Sequence, residues 1–282
     1  MNKEKREADY RPEIKLTVRN DFVTADYPVD ITATDLKILR MVIAQCRKND
    51  TEFMEYDFSA VDLADKFNMD KSNLYRVARS CVKRLFKCDL TVGDNKNFEM
   101  LHIFRTVRYE NGRFTMRLSD EMEKLFLQLN RDFTNMPLLP ILSMKNKNSI
   151  RIYELICQKF MGHYPFADNA IEVILSTEEL RKVTETSKTK SYDHIGHFKS
   201  RVFVPAITEI ERASEWKIIH SDVKRSRKVI GFRLEVWSRN GWEYMEECKA
   251  KGVLPNRGKR EYESQVPGQM SIFEYMGGRE NG

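Results

Sequence analysis

The sequence predicts an α+β fold in which one arrangement of elements occurs twice. Two observations support this prediction. The order helix, short helix, basic helix and β-hairpin is found in both halves of the chain, although the two copies share almost no residue identity. With 282 residues, the chain is also long enough for two domains that each bury a core.

Composition narrows the class of protein. The chain is 41% hydrophobic and 32% charged, and it has neither an apolar run of membrane-spanning length nor a signal-peptide pattern, so we expect an intracellular globular protein. Its five cysteines are scattered and form no CxxC pair, which favours reduced, buried thiols. The net charge is +6, and between Thr186 and Arg233 there are 11 Lys and Arg against 5 Asp and Glu. This concentration of positive charge favours a polyanionic partner.

The first domain is predicted over residues 14–135, after a flexible start at residues 1–13. A capping box at Thr32 and Asp35 marks the clearest helix start. The predicted helices are Thr34–Arg47, Val61–Phe67 and Asp70–Phe86. A short helix, a brief turn and a basic helix make a helix-turn-helix. The polar residues on the outer face of the basic helix are candidates for DNA contacts: Ser72, Asn73, Arg76, Arg79 and Lys83.

Strands are predicted after this basic helix. The β-type runs are Leu90–Val92, Phe98–Tyr109 and Arg113–Leu118. Asn111-Gly112 between the last two runs predicts a type I′ turn, which needs positive φ at both central residues. The resulting hairpin is a wing, and the first half is therefore predicted to be a winged helix. A further helix is expected from Ser119 to Leu129.

The second domain, predicted over residues 136–238, repeats this order behind a proline-containing junction at residues 130–148. Its predicted helices are Ile150–Met161, Glu178–Val183 and the basic Lys188–Ile210, and its predicted strands are Ile171–Leu175, Trp216–His220 and Val229–Trp237. Pro205 should kink the basic helix, because proline removes one backbone hydrogen bond. The chain is therefore expected to hold two winged helices in tandem.

Basic residues gather on the second basic helix and its hairpin. The helix candidates are Lys190, His194, His197, Lys199 and Arg201. The wing candidates are Lys224, Arg225, Arg227 and Lys228. Arg can form two hydrogen bonds to guanine, whereas Lys more often neutralises phosphate. The basic face of a single helix is more often simply exposed to solvent, but two such faces in helix-turn-helix position favour DNA binding. Lys199 lies near the apolar side of its helix, and its aliphatic part can also cover that side.

Several segments together resemble a known family. In the second half these are SIRIYELICQKF, LSTEELRKV, the series Tyr192, Phe198-Lys199-Ser200-Arg201-Val202, Pro205-Ala206-Ile207, Glu209-Ile210, and the final Arg227-Lys228-Val229. In the first half they are TATDLKILRMVIAQ and the helix from Lys71 to Leu85. The set resembles the replication initiators of theta-replicating, iteron-bearing plasmids, the twin winged-helix Rep family, over about residues 14–238.

The resemblance implies a cytoplasmic bacterial protein that binds repeated origin sequences as a monomer and opens the origin with host factors. As a dimer, such a protein represses its own promoter. The implied partners are double-stranded DNA and a host initiator or helicase, with a monomer–dimer equilibrium. One departure is Ser226, where the family usually has glycine before Arg-Lys-Val, which puts the shape of the wing turn in question.

No catalytic, cofactor-binding or metal-binding residue is predicted, and we expect a binding protein and not an enzyme. His194 and His197 stand three apart, a spacing that can hold a metal, but the sequence offers no third ligand nearby. Tyr153 and Tyr192 are not predicted to cut DNA, because rolling-circle initiators pair their tyrosine with a His-hydrophobic-His motif that His194-Ile195-Gly196-His197 does not match. The alternatives are a tandem winged-helix transcriptional regulator without initiator activity and a metal-dependent rolling-circle nicking enzyme.

The tail, residues 239–282, is predicted to be flexible. It contains a pentapeptide similar to the Gln-Leu-Ser-Leu-Phe peptide by which many bacterial replication proteins bind the sliding clamp: Gln269, Met270, Ser271, Ile272 and Phe273. Such a peptide inserts two apolar side chains into a groove while its glutamine fixes the orientation. A chance apolar cluster that packs on the body of the protein is an equally good interpretation.

Overall fold

The computed structural model describes residues 5–9, 11, 14–28, 30–47, 49–67, 74–94, 96–163, 165 and 170–251. The elements of the first half are β1 (Lys5–Glu7), β2 (Lys15–Arg19), α1 (Asn20–Val23), α2 (Ala33–Ile43), β3 (Glu55–Ser59), α3 (Ala60–Lys66), α4 (Leu74–Phe86), β4 (Asp89–Gly93), β5 (Phe98–His102), β6 (Phe104–Glu110), β7 (Arg113–Leu118) and α5 (Glu123–Phe126). The later elements are β8 (Phe133–Pro137), α6 (Leu138–Ser143), α7 (Lys147–Lys159), β9 (Ile171–Ser176), α8 (Thr177–Val183), α9 (Ile195–Phe198), α10 (Val204–Ala213), β10 (Trp216–Arg225), β11 (Lys228–Ser238) and α11 (Arg239–Ala250). None of the described helices is both long and apolar enough to cross a lipid bilayer.

Two winged helices with one shared topology are built from these elements. In the first, α2, α3 and α4 accompany a sheet of order β1-β3-β7-β6; in the second, α7, α8 and α9–α10 accompany a sheet of order β10-β11-β9. In both sheets, the strand before the short helix pairs antiparallel with the last strand of the hairpin. The predicted α+β fold with two tandem winged helices is confirmed.

The helices begin where the sequence places capping residues. Thr32 and Asp35 make a reciprocal capping box at the start of α2, and Ser176 and Glu179 make another at the start of α8. These hydrogen bonds satisfy amide groups that the first helical turn leaves unpaired. The apolar faces behind the caps join in a hydrophobic core that includes residues of both winged helices.

Two elements lie where flexible chain was expected. β1 pairs in parallel with β3, and Arg6 is fixed there by hydrogen bonds of 2.8 and 3.0 Å to Asp50. α11 follows β11 directly, and the ring of Trp242 meets that of Trp237 edge-on at 6.0 Å between centroids. The prediction of flexibility at residues 1–13 and from residue 239 was therefore wrong for β1 and α11: β1 pairs with a strand 50 residues later in the chain, and α11 packs on the hairpin strands that precede it.

Three further segments have local structure that the sequence did not indicate. The junction segment 130–148 contains ordered elements, since β8 in it pairs antiparallel with β2 and α6 follows. The run Phe98–Tyr109 is two strands: Ile103 separates β5, which pairs with β4, from β6, which pairs with β7. The helix expected from Ser119 is a single 3-10 turn followed by the short α5. The run Phe98–Tyr109 is divided because β5 and β6 pair with strands of different sheets, which a local pattern does not report.

Candidate nucleic-acid interface

The first basic surface lies on α4. Arg76, Arg79 and Lys83 are exposed and follow one another at intervals of three and four residues, which places them on one face of the helix. The buried side of the helix is formed by Ala78, Cys81 and Leu85. The helix therefore presents three cations to solvent and packs its small apolar side chains inward, as a recognition helix requires.

An ion pair between a partly exposed arginine and a buried aspartate fixes α4 against α2. Arg84 Nε donates to Asp35 Oδ2 at 2.7 Å and Nη2 donates to Oδ1 at 3.1 Å, and Asp35 is fully buried. The same carboxylate accepts the backbone N–H of Thr32 in the capping box. The hydrogen bond to Asp35 raises the pKa of Arg84. Arg84 is therefore a structural cation, and it orients the exposed face on which its neighbour Lys83 lies.

The second basic segment begins later than expected. Lys190 lies in a short 3-10 turn and not in the helix where it was predicted. The helix starts after His194, its N-cap residue, and runs through α9, a π turn at Lys199–Phe203 and α10. Pro205, which has no backbone N–H to donate, stands just behind this π turn. The predicted kink thus takes the form of a widened turn, and the helix continues beyond it.

His194, His197 and Arg201 are exposed on the first turns of this helix. His197 Nδ1 lies 3.1 Å from the carbonyl oxygen of Ser191. Because a carbonyl only accepts, Nδ1 carries the hydrogen and Nε2 is left for another partner. The first turns of a recognition helix are the part that contacts base edges in helix-turn-helix complexes. Among the described residues, no group of three or more His, Cys, Asp and Glu side chains is arranged to hold a metal ion.

Lys199 stands apart from this exposed set. Its Nζ lies 2.6 Å from Asp222 Oδ1 on β10 and 5.8 Å from the centre of the Phe232 ring on β11. Burial and the charge of Lys199 lower the pKa of His220, which lies on β10 as well. The side chain thus joins the recognition helix to the wing strands, in agreement with its predicted position near the apolar side.

The second wing carries a dense group of exposed positive charges. Its members are Lys224, Arg225, Arg227 and Lys228. Arg225 pairs with Lys228 across a two-residue turn, Ser226-Arg227, and none of the four forms an ion pair with another described residue. Ser226 has a φ of 57°, in the left-handed region that glycine enters without a Cβ penalty. The serine therefore keeps the tight turn at some cost in strain.

The first wing differs from the second because its positive charges are paired with carboxylates. Asn111 and Gly112 have φ values of 49° and 76°, as the predicted type I′ turn requires. Beside this turn, Arg113 Nε lies 2.7 Å from Asp57 Oδ2, and Arg108 Nη2 lies 3.9 Å from Glu55 Oε1. The positive charges of this wing are therefore compensated by carboxylates of the neighbouring strand β3.

Some candidates lie outside the described residues. These are Ser72, Asn73, the expected cap residue Asp70 and the tail pentapeptide Gln269–Phe273. The other candidates, apart from Lys199, form two exposed groups, one on α4 and one on the second recognition helix with its 3-10 turn and wing. The winged-helix topology places each group on the element that other proteins of this architecture use to read DNA.

One charged cluster between the winged helices was missed by the sequence analysis. It consists of Arg40, Arg151 and Glu154, all buried. Arg40 follows Leu36 by four residues and precedes Ile43 by three, so it lies on the apolar side of α2. A charge on an apolar helix face was the signal in the sequence, but its partner could not be identified from α2 alone.

Comparisons with known proteins agree with this architecture. The family model described as Initiator Replication protein, WH1, matches residues 15–157, and the one described as Initiator Rep protein, WH2, matches residues 176–236. The chain is similar to the crystal structure of the Pi initiator protein in complex with iteron DNA, with a TM-score of 0.67, 18% identity, and coverage of 81% of this chain and 98% of that chain. It is also similar to SeMet derivatives of domain 2 and domain 3 of RctB, with a TM-score of 0.43, 10% identity, and coverage of 74% and 83%. The two family matches span both winged helices, and the chain therefore belongs to the initiator replication (Rep) protein family.

Proposed function

We propose that this protein initiates plasmid replication by binding repeated sequences of the origin as double-stranded DNA. The observation that carries the proposal is that two winged helices of one topology each present an exposed basic recognition helix. Membership of the initiator family supports the replication role. The similarity in fold to the Pi initiator protein, whose crystal structure contains iteron DNA, supports repeated sites as the target.

Base reading and phosphate binding are divided between helix and wing. The recognition helices enter successive major grooves on one face of the DNA, so that the two domains together cover a site of roughly 20 base pairs. Arg201, exposed about two turns into the second recognition helix, reads a base. Lys228 and the other cations of the second wing bind phosphates, for which they need no defined pairing geometry.

Footprinting on the plasmid that carries the gene tests this proposal. We expect protected repeats of one length within the origin. Arg201→Ala should relax discrimination at one base pair, whereas the matched variant Lys228→Ala should weaken binding to all DNA similarly and lower the salt slope by about 1. Protection of a single promoter site without repeats would instead indicate a transcriptional regulator, and equal, unspecific losses from both variants would refute the division between helix and wing.

The protein acts as a binding protein in the bacterial cytoplasm and not as a nicking enzyme. In support, the ring of Tyr192 packs edge-on against Phe198, with 6.2 Å between centroids, and the backbone carbonyl of Tyr192 accepts a hydrogen bond from Arg181. This tyrosine has a structural role in positioning the 3-10 turn. Supercoiled origin DNA incubated with the protein and Mg²⁺ or Mn²⁺ should stay uncut; nicks that disappear in Tyr192→Phe would contradict this part of the proposal.

Host partners complete the proposed role. Origin opening requires a host initiator or helicase, a dimeric form represses the protein's own promoter, and the tail pentapeptide binds the sliding clamp. The pentapeptide predicts that changing Gln269, Ile272 and Phe273 to Ala abolishes clamp binding in a pull-down assay, while Ser271→Ala retains it. Unchanged clamp binding by the triple variant would show that the pentapeptide is a chance apolar cluster.

A further inference from the structure

A buried ion cluster joins the two winged helices. Arg40 of α2 donates from Nε to Glu154 Oε1 at 2.6 Å and from Nη2 to Oε2 at 2.8 Å, and Arg151 Nη1 reaches Oε2 at 3.1 Å. All three side chains are at most 2% exposed. Burial opposes ionisation of Glu154, but the attraction of Arg40 and the bonds from both arginines outweigh it, so the pKa of Glu154 lies below its ordinary value. Glu154 is therefore ionised at neutral pH.

Further contacts hold the cluster to the first domain. Arg151, which lies on α7 at the junction of the two winged helices, donates from Nη2 to the Ala25 carbonyl at 2.6 Å. The ring of Tyr27 lies 4.7 Å from Arg151 Cζ and 5.2 Å from Arg40 Cζ. Arg151 Nε also donates to the Val183 carbonyl, at the end of α8, at 3.2 Å. Arg151 thus bonds backbone of both domains at once.

Each recognition helix is tied by ionic or charge-assisted bonds to the helix that carries one side of this cluster. α4 is held to α2 by the bidentate pair of Arg84 with Asp35. α10 is held to the start of α7 by Glu209, whose carboxylate accepts the backbone N–H of Lys145 at 2.7 Å and that of Asn146 at 3.2 Å. A continuous path therefore runs from α4 through α2, the cluster and α7 to α10.

The type of contact decides what this cluster does. Burying two guanidinium groups and a carboxylate costs desolvation, and apolar side chains of similar volume often stabilise a fold as well or better. Apolar contacts, however, tolerate sliding, whereas a bidentate Arg–carboxylate pair accepts one direction and one distance. Such a cluster therefore contributes more to a single relative placement of α2 and α7 than to stability.

We propose that Arg40, Arg151 and Glu154 set the register between α2 and α7, and through it the spacing between the two recognition helices along the DNA. They are positioning residues that touch no base, and they determine which separation between the two parts of a site the protein accepts. The inference rests on the proposed function, because it presupposes that both recognition helices bind one duplex.

The test uses full-length protein and a series of origin sites in which the segment between the two footprinted parts is lengthened or shortened by one or two base pairs. Each inserted base pair moves one part by about 3.4 Å along the axis and turns it around the helix. For the wild type we expect affinity to fall by about tenfold or more per base pair. For Arg40→Met/Arg151→Met/Glu154→Leu, which replaces the whole cluster by apolar side chains, we expect a loss below about threefold per base pair.

Two comparison variants make the result decisive. Lys147→Met/Glu185→Met removes a 3.0 Å ion pair in which Lys147 lies on the same helix, α7, but which does not involve the first domain. This variant should keep the wild-type spacing preference. Arg40→Lys keeps the charge and loses the bidentate bond. Its loss of affinity per inserted base pair should lie between the values expected for the wild type and for the triple variant, and it can be measured even if the triple variant does not fold. A wild-type spacing preference in the triple variant, or in Arg40→Lys when only that variant folds, would overturn the inference. Failure of the wild type to bind a two-part site would instead overturn the proposed function.

Discussion

The two winged helices share a topology but differ in how their wings treat charge. The first wing is the shorter hairpin, and its Arg108 and Arg113 face carboxylates of β3. The second wing extends over two strands of 10 and 11 residues, and its four tip cations form no ion pair with another described residue. A charge that is already neutralised in the protein contributes little to phosphate binding, so the second wing is the stronger candidate for DNA backbone contact.

The recognition helices also differ in how they are held. α4 is anchored by Arg84 and the fully buried Asp35. The second recognition helix is anchored by Lys199 and Asp222, whose side chains are 35% and 26% exposed. Ion pairs near solvent contribute little to stability, whereas an unpaired buried carboxylate is costly. The first helix therefore depends on its ion pair for its orientation more than the second does.

The largest expected effect separates the two wings. Replacing Lys224, Arg225, Arg227 and Lys228 by Ala should lower DNA affinity about 100- to 1,000-fold near 0.15 M salt and reduce the salt slope by roughly 3 to 4, because each lost phosphate contact removes one counterion-release event. The matched variant of the first wing, Arg108→Ala/Arg113→Ala, should change affinity less than about threefold. Fluorescence anisotropy across a salt series measures both. Equal slopes for the two variants would show that the wings are used alike.

An intermediate effect separates the two helix anchors. Arg84→Met leaves the Asp35 carboxylate buried without its partner and should lower the free energy of unfolding by about 2 to 3 kcal/mol. Lys199→Met should cost below about 1 kcal/mol, because its Asp222 partner regains water. Urea denaturation followed by circular dichroism gives both values. Similar losses of unfolding free energy in both variants would mean that the partial exposure of the Lys199–Asp222 pair does not reduce its contribution to stability.

The smallest effect concerns the wing turns. Ser226→Gly should stabilise the protein by about 0.5 to 1 kcal/mol. The change removes the steric strain of a serine in the left-handed region, and this gain exceeds the loss that comes from the larger conformational entropy of glycine in the unfolded chain. Asn111→Gly should change stability by less than about 0.5 kcal/mol, since asparagine tolerates the same region. Thermal unfolding gives the stability of both variants. Their DNA affinity is measured as a control, because a change in the shape of the wing would alter it. A neutral Ser226→Gly would show that the second wing carries no strain at this residue.

Local sequence patterns predicted much of the fold and part of the site. The capping box at Thr32 and the type I′ turn at Asn111-Gly112 form as expected, because each depends on residues at most three positions apart. The exposed faces of α4 and of the second recognition helix also follow from periodicity, which repeats within a few turns. These are features whose determining contacts lie within one segment.

Other features depend on partners far away in the chain. β1 is a polar segment that becomes a strand only because β3 lies beside it. Ile103, in an unbroken β-type run, divides β5 and β6 because their pairing strands belong to different sheets. No local preference distinguishes these outcomes, since strand propensity reports mainly the environment that the neighbours supply.

The sequence by itself determined two winged helices, their caps and turns, and two basic faces suited to DNA. The tertiary structure decided which of the charges are available to a ligand. Three basic helix residues, Arg84, Lys199 and Arg40, resemble the candidate DNA contacts in sequence, but each is paired with a carboxylate on another element. The partner of Arg40 is Glu154, 114 residues away in the chain. The energy of a charge depends on the solvent and partners around it, and only the folded chain brings those partners together.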